Sequence, residues 1–398
     1  MRSLIRVLPC WVLVLAGISP LFAQPVGIKV DSGLRTYPSL GVHYIYNSNF
    51  FATADDKEFV AGTVVEPAIK LEKETRRLQL SLAAEAEVAD FDNGSEDDYV
   101  DAELASGFQY RTGTRHRFSG SAAYVEGHDA FGLRRTEGLA IADRELDEYH
   151  IVRGSLAYRY GAPNSLLNVA YEISYLEREY DTNRELGTRF LDYDYLQHQG
   201  TLYWNYSPKT SAVLRASRRE IEYAITQGGF PDRTATEDRA GLGLEWLPSG
   251  KSSGELLVGR FKREPDEPGF EEFSGGFWSL EAEWSPRKTT VLSFISGRET
   301  NESFLLNSSV VDTKGLILNW DQQWNSVMGS SLTVGYAERD FEAIERTDHY
   351  ASASFKLALR VVQQIFIDFN AAYTDRDSTL DVRDYGQVVF SVGFRYAP

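Results

Sequence analysis

The chain has 398 residues, a formal net charge of −17 and a sequence pI of about 4.9. An acidic balance of that size disfavours nucleic acid and anionic lipid surfaces as partners. Cys10 is the only cysteine. It lies within an expected leader, so the mature chain has neither a disulfide framework nor a thiolate metal site.

The N-terminus carries Arg2 and Arg6, an apolar run from Val7 to Phe22, and then Ala23. Two arginines, a short apolar core and a small residue predict a cleaved secretory signal peptide over 1–23. The run is shorter than the ~20 residues a membrane helix needs. Residues 24–35 are expected to form a short periplasmic segment, and 36–398 a single β domain.

From Thr36 onward the pattern has period two. The first strand is expected from Thr36 to Tyr46, the second from Phe59 to Leu71 and the third from Arg77 to Phe91. The fourth, from Tyr99 to Arg111, sets Val100, Ala102, Leu104, Phe108 and Tyr110 against Asp101, Glu103, Gln109 and Arg111. Successive strand residues point to opposite faces, so each such segment has one apolar and one polar side. The stretch Glu126 to Asp147 is the longest connection and is rich in charge. The strand from Ser211 to Ile225 carries Arg215, Arg218, Arg219 and Glu220, and its phase stays ambiguous.

Further on, Leu242, Leu244 and Trp246 alternate with Gly241, Gly243 and Glu245. Trp278, Leu280, Ala282 and Trp284 alternate with Phe277, Ser279, Glu281 and Glu283. The strand from His349 to Leu359 sets Ala351, Ala353, Phe355, Leu357 and Leu359 against Ser352, Ser354 and Lys356, and a turn is expected near Val361 to Gln364. The last segment places Val388, Phe390, Val392, Phe394 and Tyr396 on one face, with Gln387, Val389, Ser391, Gly393 and Arg395 on the other.

The count is about eighteen strands. Short connections with Pro, Gly, Ser or Thr alternate with longer acidic ones. Together with 22 Tyr, 22 Phe and 7 Trp, this predicts an all-β fold: a transmembrane antiparallel β-barrel. The short turns would be periplasmic, the acidic loops extracellular, and aromatic residues would sit at both interfaces. A soluble propeller would also have many strands, but no sustained blade-length repeat is present. The repeat that does occur is a hairpin unit, Tyr206-Ser207-Pro208-Lys209-Thr210 beside Trp284-Ser285-Pro286-Arg287-Lys288.

The leader, the opening Pro38-Ser39-Leu40-Gly41-Val42 strand with Asn47-Ser48-Asn49, and the recurring Ser-Pro-Lys/Arg turns resemble the β-barrel porin family associated with bacterial exopolysaccharide and capsule biosynthesis operons. The resemblance implies a Gram-negative outer-membrane pore that helps such a polymer cross. Its implied partners are outer-membrane lipid and lipopolysaccharide, the barrel-insertion machinery and polysaccharide-export components. Barrels of this kind usually end on an aromatic residue, whereas here Ala397 and Pro398 follow Tyr396.

On this reading the lumen is lined by Asp101, Glu103, Gln109, Arg111, Arg215, Arg219, Glu245, Phe277, Glu281, Glu283, Lys356 and Arg395. Mixed charge suits a hydrated pore, and an inward ring such as Phe277 could stack on sugars. Lipid would meet Val388, Phe390, Val392, Phe394 and Tyr396. A solute-selective or general diffusion porin and a closed structural or adhesive barrel remain as alternatives; an inward-folded long loop would favour the porin. Enzyme chemistry has little to build on. The six histidines are scattered with no HExxH spacing, no Gly-rich phosphate loop opens a helix, and the acidic groups Asp55-Asp56, Glu96-Asp97-Asp98 and Glu264 to Glu272 lack EF-hand spacing. No cofactor or metal is expected.

Overall fold

The computed structural model describes residues 27–31, 33–92, 98–137, 145–163, 165–225, 232–246, 251–266 and 268–398. The expected leader 1–23, the turn Asn93-Gly94-Ser95, Glu96-Asp97 and the turn Pro248-Ser249-Gly250 lie outside the described residues.

A short strand β1 (Ile28–Asp31) precedes the barrel strands β2 (Leu34–Asn47), β3 (Val60–Glu74), β4 (Leu78–Phe91), β5 (Tyr99–Thr112), β6 (His116–Asp129) and β7 (Asp147–Tyr160). Next come β8 (Leu167–Tyr180), β9 (Tyr193–Ser207), β10 (Thr210–Glu222), β11 (Ala235–Trp246), β12 (Ser252–Pro265) and β13 (Phe273–Arg287). The ring is completed by β14 (Thr290–Glu302), β15 (Val310–Gln323), β16 (Met328–Phe341), β17 (Arg346–Val362), β18 (Ile365–Ser378) and β19 (Tyr385–Tyr396).

Each of β2–β19 pairs antiparallel with the next, and β19 returns to β2 with Phe390 opposite Tyr46 and Tyr396 opposite Leu40. The result is a closed antiparallel barrel of 18 strands. Closure leaves the sheet no free edge, so apart from a few bulges its backbone groups pair with a neighbouring strand. That is the condition under which a sheet survives in hydrocarbon.

The faces separate by chemistry. Leu40, Val42, Tyr44 and Tyr46 of β2 are exposed, while Gly41 and His43 between them are buried. The same holds for Phe390 (52% exposed), Val392 and Phe394 (61%) against Gly393 on β19. Exposed Leu, Val and Phe therefore form the outside of the wall. Large aromatics lie toward both ends of it. Tyr160, Trp204, Tyr206 and Trp284 are exposed near the short turns, and Tyr46, Tyr124, Tyr336 and Tyr373 toward the long loops. Three of the loop-end hydroxyls find polar partners: Tyr124 donates to Glu126, Tyr373 donates to Asp375, and Tyr336 shares a hydrogen bond with His349. An apolar body with a satisfied polar tip is the arrangement an interface favours.

The connections 75–77, 113–115, 208–209, 288–289 and 363–364 are tight, and the C-terminus lies at their end of the barrel. The connections 48–59, 130–146, 181–192 and 223–234 lie at the other end. Several expected boundaries move. β17 continues through Val361 and Val362, which the sequence suggests as a turn, and begins at Arg346 rather than His349. β14 runs to Glu302, past the Thr289 to Arg298 span that alternation alone suggests for it. Inside 24–35, β1 pairs with the start of β2, Lys29 opposite Arg35.

The closing seam depends on one small residue. Gly393 faces inward directly opposite His43, and a Cβ there would overlap His43 Nδ1 and the Val42 carbonyl. Gly393→Val is expected to cost about 1–3 kcal/mol through overpacking. The check is electrophoretic: the heat-resistant, fast-migrating folded band should weaken for this variant and not for Ser391→Val.

Candidate functional site: the lumen and its loop-end mouth

The inner face carries the polar half of the alternation. On β5, Asp101 pairs with His128 at 2.9 Å and Glu103 accepts from Arg153 at 2.7 Å. Gln109 and Arg111 follow on the same face toward the turn end. Register places Glu85 opposite Glu103 and Glu87 opposite Asp101, so β4 and β5 present one acidic wall. On β18 and β19, Arg395 donates to Asp368 at 2.8 Å, and Lys356 lies within electrostatic reach of Glu66, Asp368 and Arg395.

Across the barrel, the burial alternation of β10 settles its phase. Arg215 and Arg219 face inward, Arg218 and Glu220 outward. Arg215 makes a bidentate pair with Glu255, 2.7 and 2.9 Å. Arg219 donates to Gln197 at 3.0 Å and lies over the Tyr195 ring. Glu245, Glu281 and Glu283 fall on the inner faces of β11 and β13, and Glu281 stays exposed there. Phe277 needs correcting. It points inward as expected, yet it is only 8% exposed and packs with Leu257 and Phe261. Its ring is wall, not a platform for a sugar.

The residues that define the mouth do not stand out in the sequence. Loop 130–146 leaves β6, and Glu137 reaches the inner wall at β17 and β18. There it accepts from Arg346 Nη2 (2.7 Å), Arg376 Nη1 (2.7 Å) and Arg383 Nη1 (2.6 Å). Five strands, β5, β4, β3, β2 and β19, separate β6 from β18 in the ring, so residues 130–137 reach across part of the opening. Glu137 is 4% exposed and Arg376 1%. Phe131 of the same loop packs on Phe50 and Phe51 of loop 48–59. Asn49 of that loop donates to the Gly386 carbonyl and accepts from Gln387 through its own.

A second latch holds the far side. Arg233 donates to the carbonyls of Ser303 (2.8 Å) and Phe190, joining loops 181–192, 223–234 and 303–309. Beneath it, Glu302 accepts two hydrogen bonds from Arg263 and one from Tyr223. The sequence holds one faint sign of all this: unusually many arginines at strand ends beside the loops. Their partners lie from 39 to 246 positions away, on other loops and strands, and no local pattern assigns them.

A closed barrel with an apolar outer band, aromatic girdles, a charged interior and loops folded over one mouth is a porin-type membrane channel by class. The chain belongs to the family described as putative beta-barrel porin 2, whose profile matches residues 20–397. No curated protein matches it in sequence. Among solved structures it is similar to the FrpB iron transporter from Neisseria meningitidis (F3-3 variant), at 9% identity over 85% of this chain and TM-score 0.44. The chain spans 62% of that transporter. It is also similar to the outer membrane protein opdK from Pseudomonas aeruginosa, at 10% identity, with 91% and 99% of the two chains covered and TM-score 0.46. A third is the anion-selective porin from Comamonas acidovorans, at 13% identity, with 92% and 100% covered and TM-score 0.39.

Proposed function

We propose that this protein is a solute-selective diffusion channel of a Gram-negative outer membrane. The tight turns face the periplasm, and loop 48–59 and residues 130–137 narrow the extracellular mouth. The residues from Asp101 to Arg395 named above, Phe277 apart, line the passage. The observation that carries the reading is the buried Glu137 cluster, because it holds a long loop across the opening instead of leaving it in solvent. Barrels of 16–18 strands enclose an aqueous channel unless something fills it. Mixed charge on the wall then selects among solutes without a dedicated binding pocket. Purified protein in planar bilayers should give discrete conductance steps, and polyethylene glycols above a sharp size limit should cease to enter. Folded protein that never conducts would leave only a closed structural barrel.

A second reading, passage of an exopolysaccharide outward, is supported by one feature, the arginine-rich wall at the turn end. It needs the loop latches to open. Deletion of the gene followed by measurement of secreted polymer tests it, and unchanged secretion would end it.

A further inference from the structure

Six arginines gather at one sector of the turn end. Arg76 and Arg77 lie in the turn 75–77, Arg115 in the turn 113–115, and Arg111, Arg117 and Arg159 on the inner faces of β5, β6 and β7. The segments that meet there, 75–80, 108–119 and 157–163, contain no aspartate or glutamate; the nearest carboxylates are Glu74, which accepts from Gln79 at 3.2 Å, and Glu245, within electrostatic reach of Arg117. In a chain of net charge −17, that is a local reversal of sign.

Register makes the arrangement sharper. Arg111 stands directly opposite Arg117, and Arg117 directly opposite Arg159. Like charges in directly opposed cross-strand positions repel and destabilise a sheet. Elsewhere on this wall the inward arginines are mostly neutralised: Arg153 by Glu103, Arg215 by Glu255, Arg395 by Asp368. Among the described residues Arg111, Arg117 and Arg159 form no ion pair. Arg117 donates one bond, to the Gly161 carbonyl at 3.3 Å, and the Arg159 guanidinium lies 3.8 Å over the Tyr203 ring. The Nε atoms of Arg117 and Arg159 are buried without a hydrogen-bond partner. The Nε atoms of Arg178, Arg189 and Arg383 share that state elsewhere, so the row is set apart by its opposed, unpaired guanidinium groups and not by its orphan atoms.

We infer that Arg111, Arg117 and Arg159 form an anion-binding row at the turn-end mouth of the lumen, which takes carboxylate or phosphate groups of a solute or chain. The inference rests on the channel reading for its orientation, the turn end facing the periplasm. Guanidinium forks recognise planar or tetrahedral oxyanions bidentately. Neighbours in such a row stand about 5 Å apart. That spacing suits charges repeated along an extended chain better than one isolated ion. The acidic wall of β4 and β5 lies further up the same lumen, so anions are held at the mouth and not along the whole passage.

The test is binding of oligogalacturonate, inorganic phosphate and neutral dextran to the detergent-solubilised full chain by titration calorimetry, alongside bilayer conductance. Wild type should bind oligogalacturonate and not dextran, and the affinity should fall steeply with added salt. The triple variant Arg111→Gln, Arg117→Gln, Arg159→Gln should weaken binding at least about tenfold. If the triple variant does not fold, Arg111→Gln alone should weaken it several-fold, because Arg111 is exposed and holds nothing else in place. Phosphate binding as tightly as the oligomer would assign the row to small free anions. Binding unchanged by the substitutions, or equal binding of dextran, overturns the inference. Binding without conductance defeats the channel reading and leaves the row standing; conductance without binding does the reverse.

Discussion

Glu137→Gln should enlarge the channel and destabilise the barrel's loop end together. The wild-type carboxylate serves three guanidinium groups in a site closed to water. Removing one partner of a buried ionic cluster costs about 3–5 kcal/mol, because the charges left behind lose both solvent and counter-charge. Arg346 retains Asp348 at 2.5 Å and Arg376 retains the Arg383 carbonyl, so the low end of that range is expected. The glutamine carbonyl oxygen can still accept, but its NH2 group faces guanidinium donors and it carries no charge to offset the three. With the latch weakened, residues 130–137 are no longer held across the mouth. Single-channel conductance should rise, and larger polyethylene glycols should enter. Asp92→Asn, in another loop at the same end, serves as the control and should change neither. An unchanged size limit for Glu137→Gln would mean that the loop does not obstruct the passage.

The second large effect separates the two faces of one strand. Phe390 is near the middle of β19 on the outer face, and Ser391, its neighbour, faces inward and accepts from Asn370 at 2.8 Å. Phe390→Arg places a charge at mid-height in hydrocarbon and should cost about 2–4 kcal/mol. Ser391→Arg places the same charge in a hydrated interior that already holds Asp368 and Glu66, and should cost well under half as much. Urea titration of both variants in lipid vesicles, read by the heat-resistant band, gives the comparison. Equal costs would remove the distinction between the faces.

The barrel was legible in the sequence because every strand repeats one physical signal. Val388, Phe390, Val392, Phe394 and Tyr396 alternate with smaller and polar residues whatever their neighbours do, and the same alternation appears in β5, β11, β13 and β17. Strand ends were less legible. Arg346, Thr347 and Asp348 read as loop residues because they are polar, whereas here they extend β17 above the apolar band and turn two charges inward. The ambiguous phase of β10 arose because both of its faces carry arginine. Burial along the strand resolves it, and pairing agrees, with Arg215 beside Thr201 and Glu255. The mouth was not legible at all. Nothing local marks Glu137 among the acidic residues of its loop, and its partners lie 209 to 246 positions away. Phe277 shows the opposite error: its face was right, but burial by Leu257 and Phe261 is a tertiary fact.

With Cys10 the sole cysteine, single cysteines can be placed along β19 at Val389, Phe390, Ser391 and Val392, spin-labelled and measured in vesicles by power-saturation resonance. Labels at 390 and 392 should collide with oxygen dissolved in the lipid, and labels at 389 and 391 with a water-soluble nickel chelate, alternating at every step. Four labels that all prefer the chelate, or accessibility that drifts smoothly along the strand, would contradict a wall with hydrocarbon on one side and water on the other.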